Sequence, residues 1–223
     1  MRSKHTQYAE LVAARKTCRL CDGLCNPNDK SVRRFDSDEI GPWSRLHGDL
    51  NARLMIVGQD WGDVDYFKKI KGRDDLKNRS MQNLQLILDD NSLSFDVLSY
   101  SDSDRGLFLT NSVLCLKSDG MTSAIDPTWV ENCGKHFLRQ QIEIVKPRVV
   151  VGMGKHAFHA VLRAFALPAL PLKDAINDRN GFEIQKNTLL FACYHCSPGT
   201  IGRNRDLQTQ KHDWTRIAPA LKQ

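Results

Sequence analysis

The feature that most constrains this chain is a short apolar run that ends at a glycine and continues directly into polar residues. Residues 54–57 read LMIV, Gly58 follows, and Gln59 and Asp60 come next. A short, continuous apolar run that Gly ends predicts a strand buried on both faces, as in a parallel sheet. Ligands of open parallel α/β sheets bind just beyond the carboxyl ends of the strands. Gln59 and Asp60 are therefore candidate site residues, although Asp60 would also suit a turn or a cap.

Three further apolar runs predict strands, at residues 106–114, 148–153 and 188–194, and helical patterns alternate with them. Strands that alternate with helices favour a parallel sheet joined by right-handed crossovers. We therefore expect an α/β fold, a three-layer α/β/α sandwich with a central, four-stranded, mostly parallel sheet. The length suits a single domain, residues 1–223. The predicted helices lie at residues 5–17, 81–90, 127–146, 155–167 and 207–221.

Polar side chains stand at or near the carboxyl ends of three of these strands. Asp60 follows the first strand, Asn111 interrupts the second, and His195 follows the fourth. In a parallel sheet these ends share one edge, so the three side chains can converge on one pocket. The Asn111 amide must satisfy both its donor and its acceptor, either on local backbone or on a ligand, and both interpretations stay open at this point.

The cysteines point to reduced thiols or metal ligands rather than to disulfides. The chain has seven, an odd number, and nothing in it suggests secretion. Cys18 and Cys21 form a C-x-x-C motif, whose spacing lets two thiolates bind one metal centre from a tight loop. Cys25 follows closely and leaves the choice of ligands open. The polar residues 26–50 are expected to form a long loop.

Charge and hydropathy limit the partners of the chain. The formal net charge is +6 and the sequence pI is about 9.0, which permits a polyanionic partner without requiring one. No apolar run approaches the roughly 20 residues of a membrane span, and the first residues lack the apolar core of a signal peptide. We therefore expect a cytoplasmic protein with no membrane partner. The charged residues 63–77 are expected to form a surface segment.

Four segments carry a family resemblance. ARLMIVGQDWG at residues 52–62, FLTNSVLC at 108–115, a long stretch at 131–158 and HCSPGTIGRN at 195–204 occur in this order. They resemble, in turn, the first active-site motif, the segment whose Asn reads uracil, the helix–strand–helix core and the His loop that enters the DNA minor groove of the uracil-DNA glycosylase superfamily. The resemblance is closest to the iron–sulfur, family 4-like branch of that superfamily.

The resemblance implies a monofunctional DNA glycosylase of base-excision repair. Such an enzyme flips uracil, or a related deaminated base, out of single- or double-stranded DNA and hydrolyses its N-glycosidic bond. We expect it to act as a monomer. The resemblance also implies a [4Fe–4S] cluster on Cys18, Cys21, Cys115 and Cys133, with Cys25 as an extra candidate ligand. Zinc ribbons usually supply two compact C-x-x-C pairs, which favours iron and sulfur here.

The family motifs also imply roles in the pocket. Asp60 would orient the attacking water and stabilise the cationic sugar, and His195 would donate to uracil O2. Asn111 would read the Watson–Crick edge of the base. The other residues expected to line the base pocket are Gln59, through its backbone, with Gly58, Gly62 and Phe67, for which Tyr66 is the alternative.

Five residues are expected to contact DNA. Ile201 would fill the gap that the flipped base leaves in the stack. The other four are Lys155, Arg203 and Arg205, which would contact phosphates, and Ser197 of the His loop. Ordinary solvated charge is the alternative interpretation for the three basic residues.

The first motif departs from the pattern of the iron–sulfur branch. That branch has GEAPG where this chain reads GQDWG, so Asp60 matches the Asp of the family 1-like motif GQDPYH. Trp61 stands in place of Pro, and Gly62 matches the iron–sulfur branch rather than the Tyr that blocks a 5-methyl group. Two alternatives stay open: a non-catalytic or lesion-binding member of the superfamily, and an unrelated flavodoxin-like redox protein. The second lacks support, since the chain has no GxGxxG or comparable phosphate loop.

Overall fold

The computed structural model describes residues 2–41, 49–73, 77–95, 97–98 and 106–222. The strands are β1 (Leu24–Cys25), β2 (Leu54–Gly58), β3 (Leu107–Asn111), β4 (Leu116–Lys117), β5 (Val149–Met153), β6 (Phe182–Gln185) and β7 (Thr188–Cys193). The helices are α1 (Lys4–Thr17), α2 (Val64–Ile70), α3 (Arg79–Asp90), α4 (Pro127–Cys133), α5 (Arg139–Val145), α6 (Lys155–Ala164), α7 (Leu172–Ala175), α8 (Pro198–Arg203), α9 (Leu207–Trp214) and α10 (Ile217–Lys222).

The central sheet has five strands in the order β3-β2-β5-β7-β6. The first four are the predicted strands, and they pair in parallel. The fifth, β6, pairs antiparallel with β7, so the predicted count of four was one too low. The sequence of β6 reads FEIQ and is largely accessible at the sheet edge, so it lacks the continuous apolar signal of a buried strand. A second, two-stranded sheet joins β1 to β4 and was not predicted.

The two faces of the central sheet bury alternate residues of β2. Met55 and Val57 belong to an apolar cluster with α1, α4, α5 and α6, whereas Leu54 and Ile56 pack with α3, α9 and α10. Successive side chains of a strand point to opposite faces, so each face of β2 needs a helical layer over it. The α/β/α sandwich with a mostly parallel sheet is confirmed.

The predicted helices are present, with additions. A π-helical turn, Gly134–Leu138, joins α4 to α5, and the predicted last helix is divided into α9 and α10. Three short helices, α2, α7 and α8, lie where no helix was predicted. Residues 42–48 of the expected loop and 74–76 of the expected surface segment lie outside the described residues. None of the described helices is long and apolar enough to cross a membrane.

Candidate active site

A cavity of about 460 Å³ opens at the carboxyl ends of β2 and β3, beside His195, which lies two positions after the end of β7. Parallel pairing places these strand ends at one edge of the sheet, so polar residues far apart in sequence face one space. Tyr66, Met121 and Thr200 also contribute to the wall. The predicted site residues that line the cavity are Gly58, Gln59, Asp60, Gly62, Asn111 and His195.

Asn111 faces the cavity because Gly58 leaves room for it. The two residues are paired in the β2–β3 register, and Asn111 is 7% exposed. A Cβ atom on Gly58 would lie 2.1 Å from Oδ1 of Asn111, a distance that no side chain tolerates. No residue that the structure describes forms a hydrogen bond with the Asn111 amide. This arrangement favours the interpretation that the amide faces a ligand.

Both oxygens of Asp60 are held from within the chain. Oδ1 accepts a hydrogen bond from the Gly62 N–H at 2.8 Å, and Oδ2 accepts one from Nε2 of Gln59 at 2.8 Å. Nζ of Lys117 lies 3.6 Å from Oδ2. No feature of the sequence predicts this contact of Lys117, because a lysine after an apolar strand carries no signal of its partner. Asp60 thus forms both a local turn contact and part of the cavity wall.

Gln59 also contributes to the site through its side chain, in a contact that no sequence feature predicts. Its amide orients Asp60, whereas its carbonyl oxygen accepts hydrogen bonds from the Val113 N–H at 3.0 Å and the Ser112 hydroxyl at 2.8 Å. The backbone carbonyl is therefore already satisfied by the segment after β3. Gln59 lies in the cavity wall, and its expected role there through its backbone stays a prediction.

His195 is held as one neutral tautomer. Its Nδ1 accepts a hydrogen bond from the Ser197 N–H at 3.0 Å, which places the remaining ring proton on Nε2. Burial lowers the pKa of His195, and the negative charge of Asp60 offsets only part of that effect. At neutral pH the imidazole is therefore uncharged and presents an N–H donor.

Phe67 does not line the cavity, so it cannot stack on a base there, and Tyr66, the alternative, takes its place. It is fully buried and packs edge-to-face on Phe35, with ring centroids 6.2 Å apart. Tyr66 lines the cavity instead, because adjacent residues of α2 point in different directions. Gly62 has a φ of +91°, and a Cβ there would lie 2.6 Å from Sδ of Met121.

Four of the five residues expected to contact DNA lie in or beside α8, and the fifth, Lys155, begins α6. Arg203 and Lys155 are exposed, and Ile201 is partly exposed. Ser197 caps α8, since its hydroxyl accepts the Thr200 N–H at 3.4 Å, and this structural role accounts for its presence. None of these four lines the cavity, which suits contacts outside the base pocket.

Arg205 is paired with Asp213, and its contact with a DNA phosphate stays a prediction. Its Nε and Nη2 donate to the two carboxylate oxygens of Asp213 at 2.6 and 2.5 Å. Its guanidinium also lies 5.6 Å from the centroid of the Tyr194 ring. A bidentate pair of this kind fixes the chain that follows the His loop and offsets the charge of the arginine.

A second cavity, of about 290 Å³, lies at the opposite end of the segment that follows β3. Cys25, the extra candidate ligand, does not line it. The thiols that line it are the four predicted ones, Cys18, Cys21, Cys115 and Cys133. Among the described residues, no group of three or more Cys, His, Asp or Glu side chains is arranged to hold a single metal ion.

The four-cysteine cavity disfavours free thiolates. Burial raises the pKa of Cys133 to about 12, and it raises the pKa of Cys115 further, with added repulsion from the charges of Cys133, Cys18 and Cys21. Thiolates gathered here therefore need a cationic centre to hold them.

The fold and the cavity define an α/β protein with its ligand site at the carboxyl edge of the sheet. A family model described as the uracil DNA glycosylase superfamily matches residues 46–218. The chain belongs to the uracil-DNA glycosylase superfamily. Over 211 residues it is 29% identical to a protein named type-5 uracil-DNA glycosylase from Pyrobaculum aerophilum, a match that covers 89% of this chain and 86% of that protein.

Proposed function

We propose that the protein is a monofunctional DNA glycosylase that hydrolyses the N-glycosidic bond of uracil, or of a related deaminated base, in DNA. The observation that carries this proposal is the convergence of Asp60, Asn111 and a neutral His195 on one cavity. Membership of the uracil-DNA glycosylase superfamily and the name of the relative support the same activity.

Base recognition falls to Asn111. A base inside a duplex cannot be reached, so the nucleotide is flipped into the cavity. The Asn111 amide offers one donor and one acceptor, which suit O4 and N3–H of uracil. Cytosine presents the opposite pattern and would leave both ends of the amide facing like groups, at a cost of about 1–3 kcal/mol each. Tyr66, which lines the cavity, would stack on the base.

Cleavage of the N-glycosidic bond separates charge across the cavity, and His195 and Asp60 would each stabilise one of the two charges. Negative charge develops on the departing base, where the Nε2–H of His195 is an uncharged donor directed by the Ser197 contact. Positive charge develops on the sugar, where the Asp60 carboxylate stabilises it and orients the water that attacks C1′. The Asp60 contacts with Gly62 and Gln59 leave further lone pairs for that water.

The four-cysteine cavity fits the [4Fe–4S] cluster that the family resemblance implies. Cys18 and Cys21 follow α1, Cys115 precedes β4, and Cys133 ends α4, so a cluster held there would tie three separate segments together. When bound, such a cluster supplies structural cross-linking. Placement in the iron–sulfur branch, a monomeric state and one functional domain over residues 1–223 belong to the same proposal.

A cleavage assay tests the proposal directly. Purified protein is incubated with single- and double-stranded oligonucleotides that carry one uracil, and released base and alkali-labile sites are measured. A monofunctional glycosylase yields strand breaks only after alkali. We expect Asp60→Asn and His195→Ala to lower the single-turnover rate about 100-fold or more, the usual effect of losing one such group. Tight binding of uracil DNA without release of any base would instead support the lesion-binding alternative.

A further inference from the structure

A buried lysine lies directly behind the candidate catalytic carboxylate. The Lys117 side chain is 3% exposed, and its Nζ lies 3.6 Å from Oδ2 of Asp60, whose side chain is 9% exposed. Of the two residues, Asp60 lines the cavity and Lys117 does not. A buried ammonium is costly unless it is both paired and hydrogen-bonded, so its presence beside a site carboxylate needs an explanation.

The ammonium is fixed in place by the chain around it. Its Nζ donates to the carbonyl oxygens of Met121 at 2.5 Å and Ser123 at 3.2 Å. The backbone N–H of Lys117 donates to the Gly62 carbonyl at 3.0 Å, and the Gly62 N–H donates to Oδ1 of Asp60 at 2.8 Å. The lysine and the carboxylate are therefore joined twice, once through Gly62 and once through space.

We propose that Lys117 is a positioning residue that holds the Asp60 carboxylate toward the cavity. A separation of 3.6 Å is too long for a hydrogen bond, so the attraction is electrostatic, and it acts in a mostly buried setting where screening is weak. The pair presents its negative end to the cavity and keeps its positive end behind the wall. The Asp60 carboxylate thereby faces the cationic sugar, while the counter-charge limits its repulsion from DNA phosphates.

The same ammonium supports the wall of the cavity beside Asp60. Met121, whose carbonyl accepts its hydrogen bond, lines the cavity and occupies the space that a side chain at Gly62 would need. The Lys117 ammonium thus fixes both the Asp60 carboxylate and the Met121 segment of the cavity wall. A test must therefore separate an effect through Asp60 from a general loss of structure.

A double-mutant cycle makes that separation, and its activity arm rests on the proposed glycosylase function. The four proteins are the parent, Asp60→Asn, Lys117→Met and the double variant, in which no buried charge is left unpaired. Single-turnover rates on uracil DNA, dissociation constants for the same DNA and melting temperatures are measured for all four. We expect Lys117→Met to lower the rate on the order of tenfold in the parent and less than about twofold in Asp60→Asn, because coupled residues are not additive. DNA binding should change little.

Equal losses of rate in the two backgrounds would overturn the proposal, since Lys117 would then act independently of Asp60. The melting temperatures give a second test that needs no activity. We expect the double variant to melt above the temperature that the two single losses predict together, and strictly additive losses would overturn the pairing. If the parent releases no uracil, the proposed function fails, and the effect of Lys117 on the excision rate fails with it. The melting cycle then still shows separately whether the two residues are coupled.

Discussion

The two cavities of this protein are built in opposite ways. At the carboxyl edge of the sheet, Asp60 and His195 are held by contacts within the chain, before any ligand arrives. In the four-cysteine cavity, burial and mutual repulsion act against the charged form of Cys115 and Cys133. The first site is therefore preorganised by the strands that carry it, whereas the second would gain stability from the cluster proposed for it.

This comparison suggests different responses to substitution. A change in the sheet-edge cavity should lower activity and leave the fold largely intact. A change in the four-cysteine cavity should remove the cross-link between segments and lower stability first. The following predictions test that division, from the largest expected effect to the smallest.

The largest effect is expected from Cys133→Ser. This thiol is buried at the end of α4, and without it the proposed cluster loses one of four ligands. We expect loss of bound iron, of brown colour and of soluble, folded protein together, because binding energy at such sites is folding energy. Cys25→Ser is the matched control, since Cys25 does not line the cavity, and it should keep all three. Colourless parent protein with stoichiometric zinc would contradict the iron–sulfur assignment.

The next effect concerns Asn111→Asp. The substitution removes the donor that serves uracil O4 and adds an acceptor for the cytosine amino group. The acceptor of uracil N3–H remains, so one group, O4, is left unsatisfied, and its cost of about 1–3 kcal/mol corresponds to a factor of roughly 10–10². We expect uracil excision to fall by about that factor and cytosine excision to rise slightly, with the melting temperature near that of the parent. Uracil excision at the parental rate would show that Asn111 does not read the base.

A smaller effect is expected from pH. The pKa of His195 is lowered in the folded protein, so this side chain stays neutral below its ordinary value of about 6.5. The excision rate should hold through neutral pH and fall only when the pH drops below the lowered pKa, where protonated Nδ1 can no longer accept the Ser197 N–H.

The same shift has a consequence for stability. The unfolded chain binds the His195 proton more readily than the folded chain. The free energy of unfolding should therefore begin to decrease as the pH falls below about 6.5, and it should continue to decrease until the pH passes the lowered pKa of the folded state. The melting temperature of His195→Gln should therefore fall less than that of the parent between neutral and mildly acidic buffer. Parallel melting curves in the two proteins would show that His195 does not titrate as its surroundings indicate.

The smallest effect is expected at the DNA face. Arg203 is exposed on α8, and Arg203→Ala should weaken binding across DNA sequences and reduce the salt slope by about one unit if it contacts one phosphate. An unchanged slope in Arg203→Ala would return that residue to ordinary surface charge.

Arg205→Ala should instead lower the melting temperature, because it leaves the largely buried Asp213 without its bidentate partner.

The predictable part of the candidate site is the part that lies on strands. Asp60, Asn111 and His195 could be placed at one sheet edge because each follows or ends an apolar run, and such runs are local features. Phe67 and Tyr66 could not be told apart, since the orientation of α2 depends on the Phe35 contact. Edge strand β6 was missed because its pairing with β7, rather than its own composition, makes it a strand.

The sequence by itself determined the α/β class, the four parallel strands, the shared edge of the polar residues and the four cysteines that meet in one cavity. These features rest on periodicity, on ordered motifs and on a family pattern that covers much of the chain. The tertiary structure alone decided that Lys117 stands behind Asp60, that Asp213 binds Arg205 and that Cys25 stays outside its expected site. A charged or polar side chain carries no local record of its partner, because electrostatic contacts depend on distance in space and not on spacing along the chain.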